Sequence, residues 1–349
     1  MEDVPFLALL VHRGHLGPED AQKLLPELKR GAGLDELLVG RMGWSEAQVA
    51  KLRRTNAGEI PEIPGYEIQA NVGTGGTADV FRAMEKKTGR TLALKVLKPE
   101  AAHHDGTRKA FVHEARILER LEHPGLARGY GVARSGATYF SRLEFIDGST
   151  LLELLDGGRS FTEDEALQIV LAVAEALDYL ERNGVVHRDV KPGNVMLDRR
   201  GRAVLIDLGF AAAGDEETPA DSTVGTAAYL SPEQARGGAA ADSRSDIYSL
   251  GLSLFHIVVG RLPFESTDDR ELLRMQVMSH LDSPELKSRG FSPYLHYFIE
   301  KMVAKDADHR YQCWAELIED VRGQLAGRES LDFEKEIRSR SSRPTRRRR

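Results

Sequence analysis

Three side chains with complementary chemistry lie within six residues of one another in the segment Val186–Val195, whose sequence is VHRDVKPGNV. Asp189 carries a carboxylate that can orient or deprotonate a hydroxyl group. Lys191 supplies a cation two residues later, and Asn194 supplies an amide oxygen suited to Mg²⁺ five residues later. This spacing predicts a loop at which a hydroxyl group, a phosphate and a divalent cation meet.

A second carboxylate, that of Asp207, follows Asn194 by thirteen residues and comes directly after the apolar run Ala203–Ile206. The run is typical of a buried strand. A carboxylate at a strand end, close to a glycine such as Gly209, is well placed to hold Mg²⁺ against phosphate oxygens. We therefore predict that Asn194 and Asp207 are metal ligands.

A lysine interrupts the apolar run Thr91–Leu97, because Lys95 stands in its middle. An ammonium group that points into a core needs a partner, since burying it unpaired is costly. The candidate partner is Glu114, which belongs to the helical run Phe111–Leu118. We expect the two side chains to form an ion pair.

A glycine-rich segment, Gly73–Val80 with the sequence GTGGTADV, lies between two predicted strands. Glycines at a turn let the backbone approach phosphate oxygens and present N–H groups to them. Because a strand rather than a helix follows, the segment is not a dinucleotide-binding fingerprint. Taken alone it is also compatible with an ordinary hairpin turn.

The elements that must position these side chains change in character along the chain. Helical spacing of apolar residues predicts that 1–57 is a helical extension or a small interaction domain, and composition predicts a linker at 58–65. Predicted strands follow at Tyr66–Ile68, Val80–Met84 and Thr91–Leu97. Predicted helices then occupy Glu163–Asn183, Arg244–Gly260, Leu272–His280, Tyr294–Lys305 and Trp314–Ala326. Strands first and helices later indicate an α+β protein with two lobes.

Composition excludes several classes of protein. In 349 residues, 41% are hydrophobic and 29% charged, which is enough for a packed core. Cys313 is the single cysteine, so it forms no internal disulfide and favours a reducing compartment. The apolar run Ile247–Gly260 is too short to span a membrane and predicts a buried helix, and the acidic N-terminus is unlike a signal peptide. We therefore expect a cytoplasmic protein without a transmembrane segment.

The net charge of −6 is unevenly distributed. Seven Arg residues lie from Ile337 onward, which leaves residues 1–336 with a net charge of −13. A body this acidic is a poor general binder of nucleic acid. We predict that 327–349 is a disordered basic tail, and we favour weak electrostatic contacts for it because no aromatic residue is available to stack on bases.

The motifs, in this order, resemble those of the eukaryotic-like (Hanks-type) serine/threonine protein kinases over about residues 66–324. The matching segments are the glycine-rich loop, the Lys95–Glu114 pair, His187-Arg188-Asp189 with Lys191 and Asn194, Asp207-Leu208-Gly209, Ser231-Pro232-Glu233, and Asp246. Two positions depart from the family pattern: Ala78 replaces the third glycine of the loop, and Leu208 replaces a phenylalanine. The resemblance implies a bilobal kinase fold over 66–326, and the helical prelude favours a bacterial origin.

The resemblance also implies roles for individual residues. Lys95, oriented by Glu114, would hold the phosphates of ATP, and Asp189 and Lys191 would act on the hydroxyl group and the transferred phosphoryl group. Asn194 and Asp207 would bind Mg²⁺, or Mn²⁺ in its place. The remaining nucleotide contacts would come from Val72, Gly73, Thr74, Gly75, Gly76, Val80, Ala93, Leu143, Glu144, Ile146, Met196 and Ile206. Glu144 and Ile146 would contribute through their backbones, Glu233 would pair with Arg310, and Asp246 would anchor the catalytic loop.

The implied activity is transfer of the γ-phosphoryl group of ATP to serine or threonine hydroxyls of proteins. Lys191 and Thr226 match the serine/threonine branch rather than the tyrosine kinases. We expect autophosphorylation at Thr223 or Ser222, and less at Thr218. Two alternatives remain: a scaffold that binds nucleotide without turnover, and a small-molecule phosphotransferase.

Overall fold

The computed structural model describes residues 3–12, 15–56, 60–208, 227–237, 241–281, 284, 286 and 289–327. The chain divides into two compact units. The first comprises Met1–Gly73 and Phe81–Thr91, and the second comprises Thr74–Val80 and Leu92–Arg349. The sequence predictions for Gly209, for the candidate phosphorylation sites and Thr226, and for the tail beyond Gly327 lie outside the described residues.

The first unit begins with four helices, as the helical spacing predicted. They are α1 (Asp3–His12), α2 (Pro18–Lys29), α3 (Leu34–Met42) and α4 (Glu46–Asn56). Their apolar faces form one core, in which Phe6, Leu10 and Leu38 are almost fully buried. Ser45 caps the start of α4, because its Oγ accepts a hydrogen bond of 3.2 Å from the Gln48 backbone N–H.

A single arginine ties the first and last of these helices together. Arg53 of α4 donates to the carboxylates of Asp3 and Asp35, and its guanidinium lies 4.4 Å from the centre of the Phe6 ring. The unit continues into β1 (Tyr66–Thr74) and β2 (Ala78–Glu85), which are neighbours in a sheet. Both strands extend beyond their predicted bounds, because pairing recruits polar residues that carry no apolar signal.

The second unit begins with the three strands that carry part of the candidate site. They are β3 (Thr91–Leu97), β4 (Gly129–Ser135) and β5 (Thr138–Glu144), and the central strand β5 pairs antiparallel with both neighbours. The prediction for β3 is confirmed to the residue. Helix α5 (Pro99–Ala102) precedes helix α6 (Asp105–Arg120), which packs closely on β4. A Cβ atom at Gly129 would lie 2.7 Å from the Leu118 carbonyl carbon, so this approach requires glycine.

The remainder of the second unit is mainly helical. Its helices are α7 (Leu151–Asp156), α8 (Glu163–Arg182), α9 (Pro232–Ala235), α10 (Ser243–Val259), α11 (Asp269–Met278), α12 (Pro293–Met302) and α13 (Trp314–Leu325). A small antiparallel sheet of β6 (Gly148–Thr150), β7 (Val195–Asp198) and β8 (Ala203–Leu205) lies beside them, with β7 in the centre. The predicted α+β organisation is thereby confirmed.

Helix α10 is buried on all sides, as its apolar sequence predicted. Its residues Tyr248, Leu254 and Phe255 have no exposed surface. The helix begins where the Asp242 side chain accepts a hydrogen bond from the Arg244 backbone, and it ends at Gly260, whose φ is 79°. In the parts of the chain that the structure describes, no helix is both long and apolar enough to cross a membrane.

Candidate active site

Lys95 is the residue on which the two predicted carboxylates converge. Its Nζ lies 2.9 Å from Oε1 of Glu114, on helix α6, and 3.0 Å from both carboxylate oxygens of Asp207, which follows strand β8. The Lys95 side chain is only 15% exposed. One ammonium group therefore links the sheet, the helix and the end of β8, although the sequence indicated only Glu114 as its partner.

The charges of this trio are strongly coupled. Burial lowers the pKa of Lys95, but the negative charges of Asp207 and Glu114 outweigh burial and raise it above its ordinary value. Burial raises the pKa of the Glu114 carboxyl to about 8, against the effect of Lys95. Lys95 therefore stays positively charged between the two carboxyl groups.

The predicted loop residues form a compact hydrogen-bonded group. Lys191 Nζ lies 2.8 Å from the Asp189 carboxylate, which is 9% exposed. Asn194 Nδ2 donates to Oδ2 of Asp189 at 2.9 Å and to its backbone oxygen at 2.8 Å. One oxygen of Asp189 thus accepts from an amide while the side chain faces a lysine, an arrangement that can orient a hydroxyl group.

A buried carboxylate supports this loop from helix α10. Asp246 accepts hydrogen bonds from the backbone N–H groups of His187, at 2.8 Å, and Arg188, at 2.7 Å. Burial raises its pKa to about 6, in opposition to these hydrogen bonds. Arg188 has a φ of 65°, a conformation that costs free energy for a residue with a side chain. The two bonds from Asp246 hold the backbone in that conformation, directly before Asp189.

The imidazole of His187 joins the two halves of the site, a role that the sequence did not reveal. The ring is fully buried, and its Nε2 donates a 2.7 Å hydrogen bond to the backbone oxygen of Asp207. The backbone N–H of Asp189 donates to Nδ1 of the same ring at 3.2 Å. The carbonyl and the N–H together determine the tautomer, and the neutral ring couples the position of Asp189 to that of Asp207.

The chemistry of Asn194 and Asp207 fits a divalent cation. Both hydrogen bonds of the Asn194 amide come from its Nδ2, so the oxygen Oδ1 is the atom that remains for a metal. A carboxylate and an amide oxygen are ligands that Mg²⁺ accepts, usually completed by water and phosphate oxygens. The backbone oxygen of Asn194 also accepts from Ile206 N at 3.0 Å, which places the two residues on adjoining segments.

The glycine-rich turn belongs partly to each unit. In the second unit, Gly75 N donates to Ala78 O at 2.9 Å, and Lys98 Nζ donates to Gly75 O at 2.6 Å. Gly76 has open space around its Cα, and Val80 packs on the large core. Ala78, which replaces the third glycine of the motif, is buried beside Leu97 and Phe111, so its methyl group fills space there.

Several of the predicted nucleotide contacts near the glycine-rich turn are exposed. In the second unit these are Thr74, Gly75 and Gly76, whereas Gly73 of the first unit is half-buried. In the first unit, Val72 is 46% exposed, and Gly73 N donates to Oδ1 of Asn71 at 3.0 Å.

The apolar residues predicted to contact the nucleotide belong to two hydrophobic clusters of the second unit. Ala93 faces Leu143 across strands β3 and β5 and belongs to the main core. Met196 and Ile206 pack with Ile146 in a separate small cluster. The predicted backbone role of Glu144 is accompanied by side-chain contacts, since its carboxylate lies 3.2 Å from Arg202.

Glu233 and Arg310 form an ion pair, as the resemblance implied. The Arg310 side chain has no exposed surface and lies 2.7 Å from Oε1 and 2.9 Å from Oε2 of Glu233. Ser245 Oγ also donates to Glu233, at 2.6 Å. Gln234 Nε2 donates to Arg188 O at 3.0 Å, and neither this contact nor that of Ser245 had a signal in the sequence.

We expect the protein to become less stable in acid, because the folded state favours the ionised form of Glu233. Burial raises the pKa of this carboxyl, but hydrogen bonds from Arg310 and Ser245 lower it to about 2, below its ordinary value of 4.5. The unfolded chain therefore binds more protons than the folded one between these values, and the free energy of unfolding decreases as the pH falls through this range. Chemical denaturation between pH 6 and pH 3 should show this loss, and Glu233→Gln should show a shallower slope. Equal slopes would contradict it.

Comparisons with known proteins identify the family of the chain. A family model described as "Protein kinase domain" matches residues 66–320. Serine/threonine-protein kinase PrkC of Bacillus subtilis is 32% identical over 263 residues, 74% of this chain and 40% of the relative. Serine/threonine-protein kinase PknB of Mycobacterium tuberculosis is 32% identical over 264 residues, 73% of this chain and 42% of the relative. The chain thus spans well under half the length of these relatives.

Proposed function

The chain belongs to the protein kinase family, among the Hanks-type serine/threonine kinases, and on this basis we propose that it transfers the γ-phosphoryl group of ATP to serine and threonine hydroxyls of proteins. The family has a bilobal fold and uses ATP and a divalent metal ion. The observation that carries the proposal is the linkage of Lys95, Glu114 and Asp207 to Asp189 through the buried ring of His187.

On the nucleotide side, Lys95 holds the α- and β-phosphates, and Glu114 keeps its ammonium in position. Asp207 and Asn194 bind Mg²⁺, which neutralises phosphate charge when it is bound. The turn that contains Gly75 and Gly76 would cover the phosphates. Lys95 contacts both Glu114 and Asp207, so phosphate binding requires it to exchange part of these contacts for phosphate oxygens.

On the acceptor side, Asp189 orients the attacking hydroxyl group and accepts its proton. Lys191 lies 2.8 Å from the Asp189 carboxylate and offsets charge on the transferred phosphoryl group. Asn194 donates to Asp189 and presents Oδ1 to the metal, so one side chain couples the two halves of the reaction. The strained backbone at Arg188, held by Asp246, aims the Asp189 side chain at the acceptor.

Two other functions are less well supported. A scaffold without turnover would tolerate loss of the groups that touch ATP or the hydroxyl, whereas Lys95, Asp189, Asn194 and Asp207 are all present and hydrogen-bonded. A small-molecule phosphotransferase would not need the segment that leads to Glu233, which in protein kinases receives a peptide.

The proposal is tested by incubating the full chain with γ-labelled ATP, Mg²⁺ and a generic protein such as casein or myelin basic protein. We expect label on serine and threonine of the protein, and a loss of about a thousandfold or more in Asp189→Asn, which keeps the shape of the side chain but not its basicity. Label on small molecules alone, or equal transfer by Asp189→Asn, would contradict the proposal.

We further propose autophosphorylation at Thr223 or Ser222, with Thr218 a lesser target and Thr226 unmodified. The Arg188 guanidinium, beside Asp189, is a cation with which such a phosphate would pair. Mass spectrometry of wild type and Asp189→Asn, each expressed and then incubated with ATP, should find phosphate at these positions in the wild type alone. Phosphate only outside 210–233 would contradict this assignment.

We propose a cytoplasmic location for the kinase domain, where ATP is available and a single free cysteine such as Cys313 stays reduced. Its partners would be ATP and protein substrates, without sequence-specific binding of nucleic acid. The Arg-rich tail would add weak, salt-sensitive contacts with anionic surfaces.

A further inference from the structure

Hydrogen bonds from helices α10 and α11 hold the short segment Ala227–Tyr229 in place. The segment lies just before the cap of α9 and forms a 3-10 turn with all three residues buried. Gln276 of α11, which has no exposed surface, donates from Nε2 to Ala228 O at 2.7 Å and approaches Ala227 O at 3.4 Å. Ser249 of α10 donates to Tyr229 O at 2.8 Å.

The orientation of the Gln276 amide is determined by its neighbours. Backbone carbonyls only accept hydrogen bonds, so the amide nitrogen must face Ala228 and the amide oxygen must face away. The oxygen accepts from the hydroxyl of Tyr248 at 2.8 Å, and that hydroxyl accepts from Lys305 Nζ at 2.7 Å. Lys305 also donates to the Gln276 backbone oxygen at 2.7 Å. In this series of hydrogen bonds, each group therefore donates in the direction of the segment Ala227–Tyr229.

The far end of this series of hydrogen bonds is the half-buried ammonium group of Lys305. The Nζ of Lys305 lies 4.4 Å from the centre of the Phe264 ring and 5.2 Å from that of Tyr248. Burial and the charge of Arg310 lower its pKa to about 8, so the group is mainly charged at neutral pH. A charged donor polarises the hydroxyl and strengthens the bond that the hydroxyl makes to Gln276.

The segment Ala227–Tyr229 leads into α9, which contacts the loop that carries Asp189 rather than the groups around Lys95. Gln234, which closes the capping box of α9, donates to Arg188 O at 3.0 Å, one residue before Asp189. The backbone that precedes and begins α9 is therefore tied to the residue before Asp189, the group that would orient the acceptor hydroxyl. Displacement of this backbone would change how a protein chain is received and leave Lys95 and its partners in place.

We propose that Gln276 is a positioning residue for the protein substrate: its amide, held by Tyr248 and Lys305, holds the carbonyls of Ala227 and Ala228 so that the backbone before α9 receives the acceptor chain. The proposal rests on the proposed kinase function. Ser249 is a second positioning residue for the same segment, through Tyr229 O. Neither side chain touches ATP or the acceptor hydroxyl group.

The test uses Gln276→Met, which keeps the length of the side chain but removes both amide groups. Steady-state kinetics on the full chain at pH 7, with a peptide acceptor and with ATP varied in turn, should give a KM for the peptide raised about tenfold. The KM for ATP and the turnover at saturating peptide should stay within about twofold, because the groups around Lys95 are unchanged. Gln168→Met, on the exposed face of α8, is the matched control and should leave all constants unchanged.

If Gln276→Met does not fold, Ser249→Ala provides an independent test of the same segment. Ser249→Ala removes one hydroxyl group and should raise the KM for the peptide about threefold, again without changing the KM for ATP. An unchanged peptide KM in either folded variant, or equal increases of both KM values, would overturn the proposal. Wild-type protein that labels no peptide or protein would instead overturn the kinase function, so the two failures are distinguishable.

Discussion

A Lys95→Met variant should lose phosphoryl transfer to the background of the assay while it still unfolds cooperatively. Methionine matches the length of lysine but cannot contact phosphate oxygens, and it leaves Asp207 without the cation that now lies 3.0 Å away. The fold should survive because burial already raises the pKa of Glu114 to about 8, so this carboxyl can take up a proton when its partner is gone. Transfer of label and thermal unfolding, measured on the same preparation, test both halves.

Lys109→Met is the matched control, because Lys109 lies on the exposed face of helix α6, the helix that carries Glu114. It should retain wild-type activity and stability. Turnover by Lys95→Met near that of the control would show that the nucleotide site has been placed wrongly. A Lys95→Met protein that does not fold would show that the lysine serves the core rather than the substrate.

An Arg310→Met variant should show the largest loss of stability among single substitutions away from the candidate site. Its guanidinium, fully buried, donates to both oxygens of Glu233 and to backbone carbonyls at Ala304, Arg244 and Lys305. Methionine would remove the cation from the half-buried carboxylate and leave three backbone carbonyls without their donor, and breaking such a pair costs about 3–5 kcal/mol of the free energy of unfolding. Denaturant titration at pH 7 measures this loss.

Arg322→Met is the matched control for that experiment, because Arg322 pairs with Glu175 on the surface, where its side chain is 59% exposed. Surface pairs contribute about 0–1 kcal/mol, so the control should unfold near the wild type. The double variant Glu233→Gln with Arg310→Met should recover part of the loss, since the unpaired charge is removed. Equal stability of Arg310→Met and the control would contradict the assignment.

The loop at 186–195 was predictable because its chemistry is local. Asp189, Lys191 and Asn194 lie within six residues of one another, so any compact loop brings them near one another, and the structure has them within hydrogen-bonding distance. The apolar pattern likewise predicted β3 and the buried helix α10. Burial on all sides leaves a continuous apolar run in the sequence that no surface helix shares.

Element boundaries and several strands were less accessible to sequence reasoning. Helix α11 begins at Asp269, earlier than the predicted Leu272, because Asp268 caps it before the apolar pattern begins. Strands β4 and β5 were not predicted, since they mix buried with half-buried positions and β5 pairs with β3, which lies far away in the sequence. Pairing of that kind depends on tertiary neighbours rather than on local preference.

The sequence by itself determined the family and the fold class and predicted the motif residues of the candidate site, because motifs and apolar periodicity are local properties. Only the tertiary structure decided which distant groups form ion pairs and hydrogen bonds with one another. Lys95 and Asp207 lie 112 positions apart, and Gln276 and Ala228 lie 48 apart. A buried polar group needs a partner wherever the chain can supply one, and a one-dimensional pattern does not say which distant segment will arrive there.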